Sequence, residues 1–162
     1  MSAQAAFRTK ILFDTNQLLQ RAKSEEEILS QTASQLMKLL NRSLIVYPEQ
    51  NGDLGSEQVF EIDGEVPCNI FSAPEERDAA NWTFANKKRS GAGTDSYPDA
   101  KGLYLALRTG GGVFGVIGID LSEKPLDAFE NSVLLSILGE GALAIENRRN
   151  ALEKEQAALQ AR

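Results

Sequence analysis

The chain has 162 residues, 42% hydrophobic and 25% charged, with a formal net charge of −6, enough for one globular domain with its own core. The acidic balance argues against a nucleic-acid partner. The absence of histidine excludes a Ser-His-Asp triad, an imidazole metal cluster and a phospho-accepting histidine, and the lone Cys68 excludes an intrachain disulfide or a cysteine-rich zinc site.

Taken in chain order, Phe7, Ile11, Thr15, Leu18, Leu19 and Ala22 recur at helical spacing and predict a first helix over residues 4–22. Ser24-Glu25-Glu26-Glu27 is a capping-box pattern opening a second helix. Its stripe is Ile28, Leu29, Ala33, Leu36, Met37 and Leu40, and Asn41 is its stop. Leu44 to Tyr47 reads as a strand bounded by Pro48, Asn51-Gly52 as a turn, and Val59, Phe60 and Ile62 as the returning strand. Asp63-Gly64 turns again, and Cys68 to Phe71 predicts a short edge strand, with Cys68 a half-buried structural thiol. Ser72 to Glu76 supplies a cap-like residue, an early proline and early acids for a helix running to about Lys88. Ala79, Trp82, Phe84 and Ala85 are its expected buried positions.

An irregular Gly/Pro loop over residues 90–100 precedes the two strongest strands, Leu103 to Thr109 and Val113 to Leu121, joined by Gly110-Gly111-Gly112. The second strand is apolar on both sides, with Val113, Ile117 and Ile119 on one and Phe114 and Val116 on the other. It therefore belongs mid-sheet, covered on both faces. Gly115 and Gly118 predict a close approach to the backbone, by a helix sooner than by a ligand. From Leu126 to Arg162 no proline occurs and only Gly139 and Gly141 interrupt good helix formers. A helix of that length spans roughly 55 Å, against about 40 Å for the body, and so projects from it. Leu138, Ile145, Leu152 and Leu159 fall at the seven-residue period of a coiled-coil seam. The helix reaches Leu159-Gln160-Ala161-Arg162 without glycine, proline or cap, which carries the expectation that it belongs to a longer protein. No apolar run approaches the roughly 18 residues that span a bilayer, and no secretory leader is read, so a soluble chain in a reducing cytoplasm is expected.

The order of these elements resembles the GAF fold. Within it, the loop Gly93-Thr94-Asp95-Ser96-Tyr97-Pro98-Asp99-Ala100 followed by Tyr104-Leu105-Ala106-Leu107 is similar to the KdpD family of sensor histidine kinases. The opening Thr9 to Leu19 and the later Leu126-Asp127-Ala128-Phe129-Glu130-Asn131 also resemble that family. Ser96-Tyr97 and Ala106 depart from it, where Thr-Leu and a proline are common. The resemblance implies a single α/β GAF domain over residues 1–162, with a mostly antiparallel sheet of five or six strands and long terminal helices. It further implies a cytoplasmic module of a membrane-bound kinase of potassium and osmotic stress, linked to membrane segments and a kinase core, paired in a homodimer through its terminal helices. No cofactor, metal or catalytic residue is expected, and no insertion of this domain into the membrane.

Candidate pocket residues are Trp82, Asn86, Thr94, Asp95, Tyr97, Lys101, Tyr104 and Arg108, facing an unidentified small molecule beneath the 90–100 loop. All but Asn86 have a plainer reading beside them. Trp82 and Tyr104 read as core aromatics, Thr94 and Asp95 as turn-stabilising side chains, and Tyr97-Pro98 as a device for an extended loop. Lys101 and Arg108 read as solvated charges, and Lys87-Lys88-Arg89 as the basic end of a helix. Three functions compete: a signal-input and relay domain, a small GAF-fold enzyme such as a methionine sulfoxide reductase, disfavoured by the single Cys68, and a ligand-free dimerising scaffold.

Overall fold

The computed structural model describes residues 2–62 and 70–161. The turn expected at Asp63-Gly64 and the thiol of Cys68 lie outside the described residues.

Helix α1 (Ala3–Arg21) buries Ile11, Thr15 and Leu19, the inner part of the predicted stripe, while Phe7 stays exposed at its end. In α2 (Glu25–Leu40) Ser24 accepts from the Glu27 amide and Asn41 closes the helix in the left-handed region at φ 52°, as its residue types dictate. The reciprocal bond of a capping box is diverted, because the Glu27 carboxylate takes the Lys23 amide instead. Strand β1 (Leu44–Gln50) runs through Pro48 and turns at Asn51-Gly52 into β2 (Asp53–Leu54). Strand β3 (Gln58–Phe60) returns along the same edge of β1, and Ile62 lies beyond it. Where an edge strand was expected, Ile70–Ser72 forms a single 3-10 turn. Helix α3 (Pro74–Asn86) leads to β4 (Ser90–Gly91), β5 (Gly102–Thr109), β6 (Gly112–Asp120) and α4 (Ala128–Gln160).

The six strands form one antiparallel sheet in the order β2-β1-β6-β5-β4, with β3 also beside β1. Helices α2 and α4 cover one face, with α1 packed against both of them, and there Leu44, Val46, Leu103, Leu105, Leu107, Ile117 and Ile119 meet the helical stripes. The other face carries Ile45, Tyr47, Leu54, Tyr104 and Val116 against Phe71 and α3. The prediction of a doubly covered β6 is thus borne out, but its facing is corrected at Phe114. Leu107 pairs with Gly115 and Arg108 with Val113, so a bulge at Phe114 shifts the alternation and turns its ring to the helical face beside Ile117 and Ile119. The close approaches at the β6 glycines come from neighbouring strands, not from a helix or a ligand. A Cβ on Gly118 would lie 2.4 Å from the Tyr104 ring and 2.7 Å from Ile45, and one on Gly115 would lie 2.7 Å from the Tyr47 carbonyl.

α3 shows the other correction. Its buried positions are Glu76, Ala79, Ala80 and Thr83, spaced i, i+3, i+4, i+7. Trp82 and Phe84 are half-buried at the sides and Ala85 is exposed. Small side chains let the helix lie close over Tyr47 and Tyr104, which supply the bulk on that face.

α4 runs unbroken through Gly139 and Gly141 for 33 residues, about 50 Å. It starts at Ala128, two residues later than predicted, because Asp127 caps it and Glu130 returns a bond to the Asp127 amide. One window of this helix has a mean hydropathy of 1.3, enough by length and composition to cross a membrane, contrary to the expectation that no such run exists. Its apolar side chains Val133, Leu134, Ile137, Leu138, Ala142 and Ile145 are spent on the domain core. Two arginines hold it there. Buried Arg42 donates to the carbonyls of Asp120, Lys124 and Pro125 and pairs with Glu130 at 3.5 Å. Arg149 pairs with Glu25 at 2.6 Å and Glu49 at 3.1 Å, 4.8 Å above the Phe114 ring. Beyond Arg149 every described residue of 150–161 is exposed.

Gly118→Ala should destabilise the domain by about 1–3 kcal/mol through overpacking against Tyr104, read from the urea midpoint; an unchanged midpoint would refute the packing described.

Candidate functional site

The sheet face under the 90–100 loop is where a ligand was expected, and the chain's own side chains fill it. α3 opens with Pro74 at its first turn, and Ala73 offers no side-chain cap. Glu76, in that first turn, does not fold back on the helix. Its carboxyl oxygens accept from the Lys101 amide at 3.0 Å, the Gly102 amide at 3.0 Å and the Tyr104 hydroxyl at 2.6 Å. The residue is 1% exposed. A buried acceptor of this kind ties the start of α3 to the start of β5 and is costly to remove, because its donors would be left unpaired. Tyr104 lies over Gly118, and Tyr47 lies beside it with the Arg77 guanidinium 5.0 Å from its ring centroid. A second buried link joins α3 to β4, where Ser90 Oγ donates to the Ala79 carbonyl and lies 2.7 Å from Thr83 Oγ1.

Both phenols are shifted upward. Burial, then the hydrogen bond to Glu76 and its negative charge, holds Tyr104 far above the usual phenol range. Burial, with Glu57 as the next cause, raises Tyr47 to about 12. The sequence marked Tyr104 as a core aromatic beside a possible ligand role, and the core role holds. Glu76 was read only as an early acid at a helix start. The available clue was an acid in the first turn of a helix whose own cap position is alanine, leaving its carboxyl without the usual local task.

Of the predicted pocket residues, the structure gathers four. Trp82, Asn86, Thr94 and Asp95 line an open cleft with Lys88, Arg89 and Ser96. Within it Thr94 is committed to its own turn, with Oγ1 2.8 Å from the carbonyls of Gly91 and Ser96. The Asn86 amide donates to the Trp82 carbonyl. The other four lie elsewhere. Tyr104 is sealed beneath the loop, Lys101 is exposed, and Arg108 lines a different groove beside α4. Tyr97 is exposed with φ 57°, so the extended conformation expected before Pro98 is replaced by a left-handed one, which the loop imposes while the Gly91 amide bonds the Ser96 carbonyl. The predicted seam divides as well. Leu138 and Ile145 are buried in the subunit's own core, whereas Leu152 and Leu159 are 44% and 61% exposed.

No group of histidine, cysteine, aspartate and glutamate able to hold a metal occurs among the described residues, and no family model matches the chain. Over 150 residues, 92% of its length, it is 32% identical to the sensor protein KdpD of Clostridium acetobutylicum, of which it spans 16%. The GAF domain of the potassium sensor histidine kinase KdpD from Escherichia coli matches with a TM-score of 0.64 at 22% identity, over 93% of this chain and 99% of that one. The GAF domain of a putative sensor histidine kinase from Pseudomonas syringae pv. tomato matches with a TM-score of 0.62 at 18% identity, over 95% and 94% of the two chains. The GAF domain of a phosphoenolpyruvate-protein phosphotransferase from Acinetobacter matches with a TM-score of 0.62 at 11% identity, over 93% and 97%.

Glu76→Ala should cost about 2–4 kcal/mol and speed hydrogen exchange at the Lys101 and Gly102 amides; unchanged exchange there would remove Glu76 from its assigned role. The folded state keeps both phenols protonated longer than the unfolded chain does. Stability fully present below pH of about 10 is therefore lost as pH rises, by about 1.4 kcal/mol per unit for each phenol, with Tyr47 levelling off at its folded value of about 12. Alkaline urea titrations with phenolate absorbance check this, and a stability that is flat or rising across that window would contradict it.

Proposed function

We propose that this chain, a KdpD-like GAF domain of the sensor histidine kinase type, is a cytoplasmic relay that passes a potassium or osmotic signal from membrane segments of its parent protein to a kinase core. The observation that carries this reading is the division of α4. Its first half belongs to the core and its last turns leave the body with Leu152 and Leu159 uncovered. Helix α1 runs parallel beside it, with Arg8 donating to Ser132 and Asn16 to Glu140. A displacement entering along α1 reaches α4 through those contacts, and a continuous helix carries it onward without a joint. Pairing with the same helix of a second subunit would cover Leu152 and Leu159, and in this reading the relay acts as a homodimer.

Relay is favoured over reception of a small molecule beneath the loop, because Tyr47, Glu76 and Tyr104 occupy that space. The cleft beside Trp82 is one place beside the loop that stays open to a ligand. Melting temperatures should stay flat with nucleotides, cyclic dinucleotides, and potassium against sodium; a saturable rise with any of them would move the input to that cleft. Sedimentation should show a dimer that Leu152→Glu and Leu159→Glu together dissociate, and a monomer at high concentration would end the paired-helix reading. In a chimera joining this chain to a histidine-kinase core, one residue inserted after Arg149 turns the following helix by about 100° and should change autophosphorylation. An insertion of about seven residues, two turns, should restore it. Indifference to helical phase would defeat transmission through α4.

A further inference from the structure

Strand β5 is only partly flanked on the side away from β6. β4 pairs with Leu103 and Tyr104 alone, and among the described residues no strand lies beside Leu105–Thr109 on that edge. Gly102 directs its carbonyl to the Ala92 amide on that side and its own amide to Glu76. At the two-residue period of a strand, Ala106 and Arg108 direct their backbone groups the same way. The chain that would have continued the sheet diverges: Lys87 ends α3 in the left-handed region at φ 60°, and the ladder begins only at Ser90. The gap left behind is a groove of about 270 Å³ between β5, residues 87–89 and α4.

The charge of this groove is opposite to that of the chain. Among the described residues Lys87, Lys88, Arg89 and Arg108 line it, no carboxylate does, and none of the four enters an ion pair, in a protein whose net charge is −6. Its floor is apolar, with Leu135 of α4 49% exposed at the rim. An open strand edge presents unpaired amides and carbonyls as a template for another strand, and strand addition takes its affinity from the backbone and its selectivity from alternate side chains. We propose that the open edge of β5 is a docking site for an acidic, extended segment of a partner polypeptide. The segment adds as a strand beside Ala106–Arg108, sets carboxylates against Lys87, Lys88 and Arg108, and places its alternate apolar side chains on Leu135. A concave groove bordering the edge of β5 suits an added strand and not the flat surface of a bilayer.

The probe is a fluorescein-labelled peptide of alternating glutamate and valine, titrated into the intact chain by anisotropy. Controls are its lysine counterpart, the same glutamate peptide N-methylated at alternate residues in either phase, and vesicles of phosphatidylglycerol or phosphatidylcholine. Saturable binding of the glutamate peptide is expected. It should be weakened at least about tenfold by N-methylation in one phase and by the combined Lys87→Glu, Lys88→Glu and Arg108→Glu substitutions, and abolished with the lysine peptide. Absence of saturable peptide binding, equal binding of all N-methylated forms, or binding to phosphatidylglycerol vesicles alone would each overturn the proposal. The peptide and vesicle comparisons use the unsubstituted chain, so a misfolded variant leaves them decisive.

Discussion

One helix serves both as core and as exit, and the rest of the molecule is arranged around where it changes role. Along its first half α4 supplies the apolar surface against which the sheet and α2 pack, and that surface ends near Ile145. The two arginines sit at either end of the packed portion. Arg42 fastens the connection from β6 to the first turn of α4, and Arg149 clamps the far end to α2 and β1 through Glu25 and Glu49. Between these points α4 packs against the sheet and α2. Beyond Arg149 the described residues are all exposed, and the stability of the helix there rests on helix propensity and whatever covers Leu152 and Leu159.

The opposite face of the sheet is built for closure. Small residues on α3 bring that helix close over two tyrosines, and Glu76 joins its first turn to the start of β5 and to Tyr104 by three hydrogen bonds. Such an arrangement uses in packing the space that a ligand would need. It also fixes the start of β5 against α3, and releasing that contact would unpair buried groups. The two faces therefore differ in kind, a sealed polar clasp on one and a helical layer extending outward on the other.

Much of the architecture was legible because its signals are local. Ser24 and Asn41 mark the ends of α2 through side-chain capping and tolerance of the left-handed region. Asn51-Gly52 marks its turn, and the alternating apolar residues of β5 and β6 mark a hairpin. The candidate site was legible only in part. Trp82, Asn86, Thr94 and Asp95 meet because they lie on neighbouring stretches of one helix and its following loop. Lys101 precedes β5 and is exposed, Tyr104 is buried beneath α3, and Arg108 lies farther along the strand at another groove, and these outcomes depend on pairing partners far away in the chain.

By itself the sequence determined the number and order of helices, the mid-sheet place of β6, and a terminal helix too long for its domain, since periodicity and caps act over a few residues. Only the tertiary structure decided that Glu76 bonds the start of β5, that Tyr104 covers Gly118, that a bulge turns Phe114 toward Arg149, and which seam leucines are buried. Those outcomes depend on groups tens of residues apart being brought within a few ångströms, and the energy of each belongs to the pair and not to either residue.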